Sequence, residues 1–433
     1  MDGQSLLREE VEREMNRESD RLRNELTDAK NRAEQAERAS ATLMEALSKA
    51  KQELVKAKQA PVPQGENGSL ESAESLRAEI ERLRSHIFSL QPYQQEFTAD
   101  KAGRAYDEVV DGTTHWVTSF LEPILDDPES RSMIDKRRHT HGQILRDAVQ
   151  HHPDLANASR IPETHVEIAI AIVMRFLHTH IFQTTLLGLY QNEVKFLTEV
   201  TDSLQTLAEP KRDTYTVRSW RAEALVGIMS DPRYATKRKA YIRALTEQLV
   251  RIFSVFIDGE DSFREICELC RKGVVKPAVA LQKKMETSLH HFYIDDTPYF
   301  HPGSGNFNHV PFYKNLHSNR VKCEDVLHYR KPFNLTKLDP APSDHQLFTE
   351  LSYVMTVSPA LYMRKIAKGD VMNQPILVRA EQALVTWGPM EDFEKFKAEN
   401  KLTQMHRILN EKGPGGGLSF FASQIRSLKF GDA

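Results

Sequence analysis

Residues 163–190 read ETHVEIAIAIVMRFLHTHIFQTTLLGLY, and how this run is taken decides the fold. From Ile168 to Tyr190 it has nearly the length of a bilayer-spanning helix, about 20 residues. It also carries Arg175, His178, His180 and Gln183 through its middle. Charged groups at bilayer depth are costly, so the expectation is a buried core helix and no membrane insertion. Its start is apolar nearly all round, which places it at the centre of a helical bundle. Residues 163–207 read as one long helix or two in line, with Pro162 in the first turn.

The flanking sequence supplies helices to pack around it. Thr98 is a plausible cap for a helix with Ala102, Tyr106, Val109, Val110, Trp116, Val117, Phe120 and Leu121 on one face. A second helix is expected over 130–149, with Met133, Ile134, Ile144, Leu145, Ala148 and Val149 inward. Beyond the central run, 217–229 is helical, and Asp231-Pro232 combines a cap with a first-turn proline. The helix it opens turns Tyr234, Tyr241, Leu245, Leu249, Ile252 and Phe256 to a core. Further pieces over 261–271 and 277–291 complete a bundle spanning 98–291. Residues 292–346 are aromatic- and Pro-rich without a period, and read as an irregular strap. Two strands, within 347–357 and 376–387, suggest a small C-terminal β-ribbon, followed by short helices near 391–399 and 403–411.

Before the body lies an arm. Leu22, Leu26, Ala29, Ala33, Ala36, Ser40, Leu43, Leu47, Ala50 and Leu54 recur with alternating steps of four and three. A 3.5-residue period is the signature of a helix packed along another helix. Between Leu26 and Leu43 every seam position is Ala or Ser, which buries less apolar surface than Leu, so the coiled coil is expected to be marginal or partner-dependent. A single solvated helix is the alternative. Two prolines and two glycines within residues 60–69 make a linker over 61–70. A second seam follows over 71–91 at Leu76, Ile80, Leu83, Ile87 and Leu90. At the other end 413–433 is a glycine tether with Leu418, Phe421, Ile425 and Leu428 at helical spacing, a docking tail for a partner or for the chain itself.

Composition narrows the function classes. Over 433 residues the net charge is −3, which speaks against a protein that coats nucleic acid. Only three cysteines occur, a poor disulfide framework that fits a reducing, intracellular compartment, cytoplasmic or nuclear. The start, MDGQSLLREEVERE, is charged and has no apolar h-region, so a secretory signal is not expected.

Candidate chemistry is thin. Cys267 and Cys270 form a C-x-x-C that Cys323 and His328 could complete as a four-ligand zinc site. The first pair lies within an expected helix and the second lacks zinc-finger spacing, so buried structural cysteines are the expectation and no metal or cofactor is assigned. Histidines come in pairs one or two apart, as at His139 and His141, His151 and His152, His178 and His180, and His290 and His291, and such neighbours on a helix point apart. Arg233, Lys237, Arg238, Lys239 and Arg243 make the best basic patch, spread over more than half of a helix circumference as a solvated face would be. No catalytic residue stands out.

RDTYTVRSWRAEALVGIMSDPRY (212–234), SYVMTVSPALYMRKI (352–366) and PILVRAEQALV (375–385) resemble a group of filamentous-fungal proteins. The resemblance implies an N-terminal coiled coil, a helical body and a short C-terminal β element, and brings no functional residues with it. The expected fold class is therefore mostly α. The expected function is that of a non-enzymatic interaction or scaffold protein whose arm binds itself or another coiled-coil protein. The alternatives are an enzyme or ligand-binding body with its pocket under the 295–313 strap, where His301 and His309 lie, and a nucleic-acid-associated factor using residues 233–243.

Overall fold

The computed structural model describes residues 97–410 except 127, 190, 210, 301–306, 339 and 367–372, together with Thr27. The coiled-coil seam, the linker, the second seam and the C-terminal tail lie outside the described residues. The chain divides into two compact units, and the one made of residues 97–218 and 228–431 is described below. Of the other, only Thr27 and 219–227 fall among the described residues.

The body is mostly helical. Its helices are α1 (Ala99–Phe120), α2 (Glu122–Asp126), α3 (Pro128–Gln150), α4 (Pro153–Ala158), α5 (His165–Leu177), α6 (Gln191–Thr206) and α7 (Thr214–Met229). They continue with α8 (Pro232–Ile252), α9 (Glu260–Cys270) and α10 (Lys276–Glu286). In α5 every residue from Ile168 to Leu177 is buried, so it is indeed a core helix. The stretch His165–Phe182 is long and apolar enough to cross a membrane, and 67% of it is buried inside the protein. Each fully buried Ile, Val, Leu or Phe contributes roughly 1.5–3 kcal/mol of transfer free energy, which makes this helix the main apolar anchor.

Two start signals act as expected. The Thr98 hydroxyl accepts from Lys101 N at 3.4 Å, and the Asp231 carboxylate accepts from Arg233 N at 2.8 Å. The stripe expected on α1 is buried throughout, and Trp116 sets its edge against Phe253 with centroids 5.8 Å apart.

The long helix expected over 163–207 is broken. A π-helical turn, His178–Phe182, ends α5, and α6 starts only at Gln191. Gly188 takes φ +97° in the gap, where an added Cβ would lie 3.2 Å from the Arg238 backbone. Gln282 Nε2 donates to the carbonyls of Thr184 and Thr185 at 2.7 and 2.9 Å, satisfying groups a continued helix would have used.

The pieces expected over 261–271 and 277–291 form one helical run, with a π turn (Arg271–Val275) joining α9 to α10. That run stops at Glu286, because His291–Asp295 is a strand. At the π turn the backbone approaches α1 closely: a Cβ on Gly112 would lie 2.2 Å from the Gly273 carbonyl oxygen.

The 292–346 strap is more regular than its sequence suggests. It contains most of β1 (His291–Asp295), then α11 (His309–His317), β2 (Val321–Asp325), β3 (Lys331–Phe333) and the start of α12 (Asp344–Glu350). The two strands expected later are four: β4 (Leu351–Ser358), β5 (Ala360–Arg364), β6 (Ile376–Arg379) and β7 (Glu381–Trp387). Helices α13 (Met390–Glu399) and α14 (Gln404–Asn410) follow. The expected ribbon is present, because β5 pairs antiparallel with β6 and β4 with β7. It is bent at Pro359 and Ala380, so its halves enter different sheets. One sheet has the order β1-β5-β6; the other is β3-β2-β7-β4, with β2 parallel to β7. Tyr106 fixes the bend by donating from its hydroxyl to Pro359 O at 2.7 Å.

The contact at Gly112 gives a test. Overpacking a site that cannot relax costs about 1–3 kcal/mol. Gly112→Ala is expected to lower the unfolding free energy from urea titration by that amount. Gly227→Ala, on an exposed face of α7 with nothing among the described residues within 4 Å of its Cβ, should raise it by up to ~1 kcal/mol. Equal midpoints for the two variants would refute the close approach.

Candidate functional site

The distinctive chemistry of the body is a buried polar network joining α4, α5, β4, β7 and the chain around α11. It begins with a constraint from α5: Arg175 lies in the last turn of a helix buried on all sides, and its side chain is only 9% exposed. A buried charge needs a partner. Asp154, in the first turn of α4 and itself buried, places Oδ2 2.5 Å from Arg175 Nη2. The same oxygen accepts from the Thr356 backbone N–H at 3.3 Å.

Strand β4 carries the network onward through a β-bulge. Residues three apart on a regular strand face opposite ways. The register of β4 on β7 shifts between Tyr353 and Met355, and this brings Tyr353 and Thr356 to one side with their hydroxyls 2.6 Å apart. Thr356 Oγ1 then donates to Glu381 Oε1 at 2.5 Å. The other oxygen, Oε2, accepts from Tyr299 at 2.6 Å, and Asn315 Nδ2 of α11 donates to the Tyr299 hydroxyl at 3.0 Å. Each hydroxyl has one proton to give, so two chains converge on Glu381: Tyr353 to Thr356 to Glu381, and Asn315 to Tyr299 to Glu381.

The two carboxylates differ. Asp154 faces a guanidinium, whereas no ion pair to Glu381 occurs among the described residues. Burial pushes the Glu381 carboxyl up to about 7 against the hydrogen bonds from Thr356 and Tyr299, and Asp295 and Asp296 push the same way. Burial likewise raises the Tyr299 hydroxyl, with Glu381 adding to it. His152 is held down at about 4 by burial and then by the charge of Arg175. Arg175 keeps its charge: burial opposes it, and Asp154 with Asp296 outweighs burial. Its Nη1 has no hydrogen-bond partner among the described residues. The π turn after α5 puts His178 Nδ1 3.6 Å from Asp296 Oδ2. Chemically, the network can store and move a proton near neutral pH.

Over this network the strap packs its own rings. Phe307 stacks on Tyr353 at 5.4 Å and 4° between planes, while Tyr299, Phe300 and Phe312 lie 5.2–5.9 Å from the same ring. The chain expected to roof a pocket over 295–313 thus fills much of that space with its own aromatics. His309 sits at its edge between Phe307 and Phe348, with its pKa lowered by burial, and His301 lies outside the described residues.

The four zinc candidates are not brought together. Cys270 belongs to the main core, with Cys267 packed against it, whereas Cys323 belongs to a second core beneath the four-stranded sheet. His328 instead bonds Asp325 Oδ2 through Nδ1 at 2.5 Å. Among the described residues no group of three or more His, Cys, Asp or Glu is placed to hold a metal. Burial raises all three thiols, Cys267 to about 11, which keeps them protonated and weakly nucleophilic. On α8, Arg233 pairs with Asp231, while Lys239 and Arg243 face solvent.

Reading the sequence missed Asp154, Glu381, Tyr299 and Thr356. Two signals were there. Arg175, the one residue among 168–177 that ionises, demands a buried acid. Glu381 shares a strand face with Ala383 and Val385, so a carboxylate occupies an apolar position. Comparison of the chain with protein-family models, curated proteins and solved structures found no match in any of the three.

Removing one partner of a buried ion pair typically costs about 3–5 kcal/mol, because the other charge is left uncompensated. Asp154→Asn is expected to lose stability in that range by chemical denaturation. Arg264→Ala, which breaks an exposed pair on α9, should stay within about 1 kcal/mol of the parent. If Asp154→Asn behaves like Arg264→Ala, the network is not a structural joint.

Proposed function

We propose that this chain is a non-enzymatic interaction protein, in which the arm assembles copies or recruits a helical partner and the body is a rigid platform. The observation that carries the reading is the 3.5-residue period from Leu22 to Leu54, a spacing that only helix-on-helix packing rewards. Three unpaired cysteines suit an intracellular setting for such a protein.

A surface feature of the body supports it. Between β2 and β3, Tyr329 and Arg330 are consecutive left-handed residues at φ +54° and +60°, closed by a 3.2 Å bond from Lys331 N to His328 O. This is the arrangement of a type I′ hairpin turn, which favours Asn-Gly. Bulky residues there cost of order 1 kcal/mol or more each. Arg330 is accounted for by Glu167, 2.7 Å from its Nε, and by the Glu163 carbonyl. Tyr329 is 94% exposed. Its turn is tied down by Asp325, which accepts from Leu327 N, Trp387 N and His328. A large side chain presented to solvent from a tied-down turn, at a cost in strain, is what an interface anchor requires.

One observation favours a second reading, a ligand-binding or catalytic body: among the described residues, Glu381 is buried without an ion pair and Arg175 Nη1 without an acceptor. A small molecule that raises the melting temperature of the parent, and not of Glu381→Gln, would select this reading over the first.

Light scattering after size exclusion tests the first. The full chain is expected to run at two or more times its monomer mass. Leu43→Asp with Leu47→Asp should return it to monomer mass with an unchanged melting temperature for the body. A full chain that is monomeric at micromolar concentration, with no change in the variant, removes self-assembly from the proposal.

A further inference from the structure

We propose that Glu381 is a proton-operated latch that fastens the Pro298–Phe300 segment and α11 to the four-stranded sheet. The argument is geometric. One Glu381 oxygen is bonded by Thr356 of β4, and the other by Tyr299 of the segment that leaves β1. Asn315 of α11 holds the Tyr299 hydroxyl in place. A single carboxyl group is therefore the joint between the sheet and two pieces of chain packed on it.

The groups facing this joint come from every neighbouring element. Asp295 and Asp296 stand at the end of β1, and Asp296 is paired with His178 of the π turn. Tyr106 of α1, Cys323 of β2, Tyr353 of β4 and Tyr362 of β5, the last beside Arg320, complete the near shell. Beyond Tyr353 and Thr356 lie Asp154 and Arg175, with His152 next to them. Apart from Arg175, already matched to Asp154, and Arg320, whose side chain is exposed beside Tyr362, these near groups are neutral or acidic. A proton on Glu381 leaves the joint uncharged, the carboxyl O–H then donating to Thr356 Oγ1 while the Thr356 proton turns to Tyr353. Its loss places a third anion beside Asp295 and Asp296, on the very segment that Tyr299 anchors.

The direction of the effect follows from linkage. The fastened carboxyl titrates at about 7, above the value of about 4.3 for an exposed glutamate. Fastening is thus fully supported below the exposed value. It weakens as pH rises through the interval and is constant above the fastened value. Across that window the equilibrium constant for release rises by up to tenfold per pH unit.

Hydrogen exchange of the full chain from pH 5 to pH 8.5, corrected for intrinsic rates, tests this. The readout is protection in 297–300 and 307–317 relative to 168–177 in α5. The expected result is relative protection that falls by up to two decades between about pH 5 and about pH 7 and is flat beyond. Glu381→Gln should flatten the profile, whereas His178→Gln should leave its slope in place. If Glu381→Gln fails to fold, Tyr299→Phe replaces it and should give low protection that does not depend on pH. A flat profile in the parent overturns the proposal. So does a slope that survives in Glu381→Gln or Tyr299→Phe, or one that disappears in His178→Gln.

Discussion

Arg175 is a full charge in a helix with no solvent-facing side, and the arrangement of the body follows from meeting that charge. Asp154 must sit within bonding distance, which sets where α4 lies against α5. The same carboxylate takes a backbone N–H from the bulge of β4, which sets where the sheet meets the helices. A buried ion pair adds little net free energy over well-packed apolar residues, whereas leaving it incomplete is expensive. Burial of Ile168, Ile172, Val173, Met174 and Leu177 thus contributes more than the pair does to holding the layers together. The pair decides which packing of those layers is tolerated.

From that point the network changes character. Asp154 is a carboxylate balanced by a cation; Glu381, a few bonds away, is bonded by hydroxyl groups and has no ion pair among the described residues. The first is a matched pair of charges. In the second, burial lifts the carboxyl to about 7. Structural permanence and chemical responsiveness are thus built from the same residue types and divided by the bulge that turns Tyr353 and Thr356 to one side.

Helices were legible because their signals are local. Thr98, Asp231-Pro232 and the stripe from Ala102 to Leu121 need no distant partner to be read. The break at Gly188 was not, since it depends on Gln282 and the backbone of Arg238, far away in the chain. Strand β1, HFYID, alternates in burial but straddles the boundary at His291 between the expected helix and the expected strap, and β3 has only three residues. Strand β2 was readable: in Val321–Asp325 buried and exposed residues alternate without exception. It is obscured because the aromatic, Pro-rich run before it has no period and merges with it in the sequence. Of the site, Arg175 and Glu381 were visible as misplaced charges, yet their partners come from elements tens to hundreds of residues away. The regular period of the arm is legible in full, although its seam lies outside the described residues.

Several ties hold the first helices to the last part of the body. Tyr106 reaches Pro359 across 253 residues, Arg146 reaches the Ile408 carbonyl across 262, and Arg379 reaches back to Asp107 across 272. During synthesis, α1 and α3 leave the ribosome early and can coil at once, but they cannot be completed until the last strands and α14 emerge. For most of translation the chain carries finished helices with uncovered apolar faces, a condition that invites aggregation and chaperone binding. The oldest part of the nascent body is therefore among the last to become native, and a chain cut short before β4 leaves its central helix without the sheet that covers it.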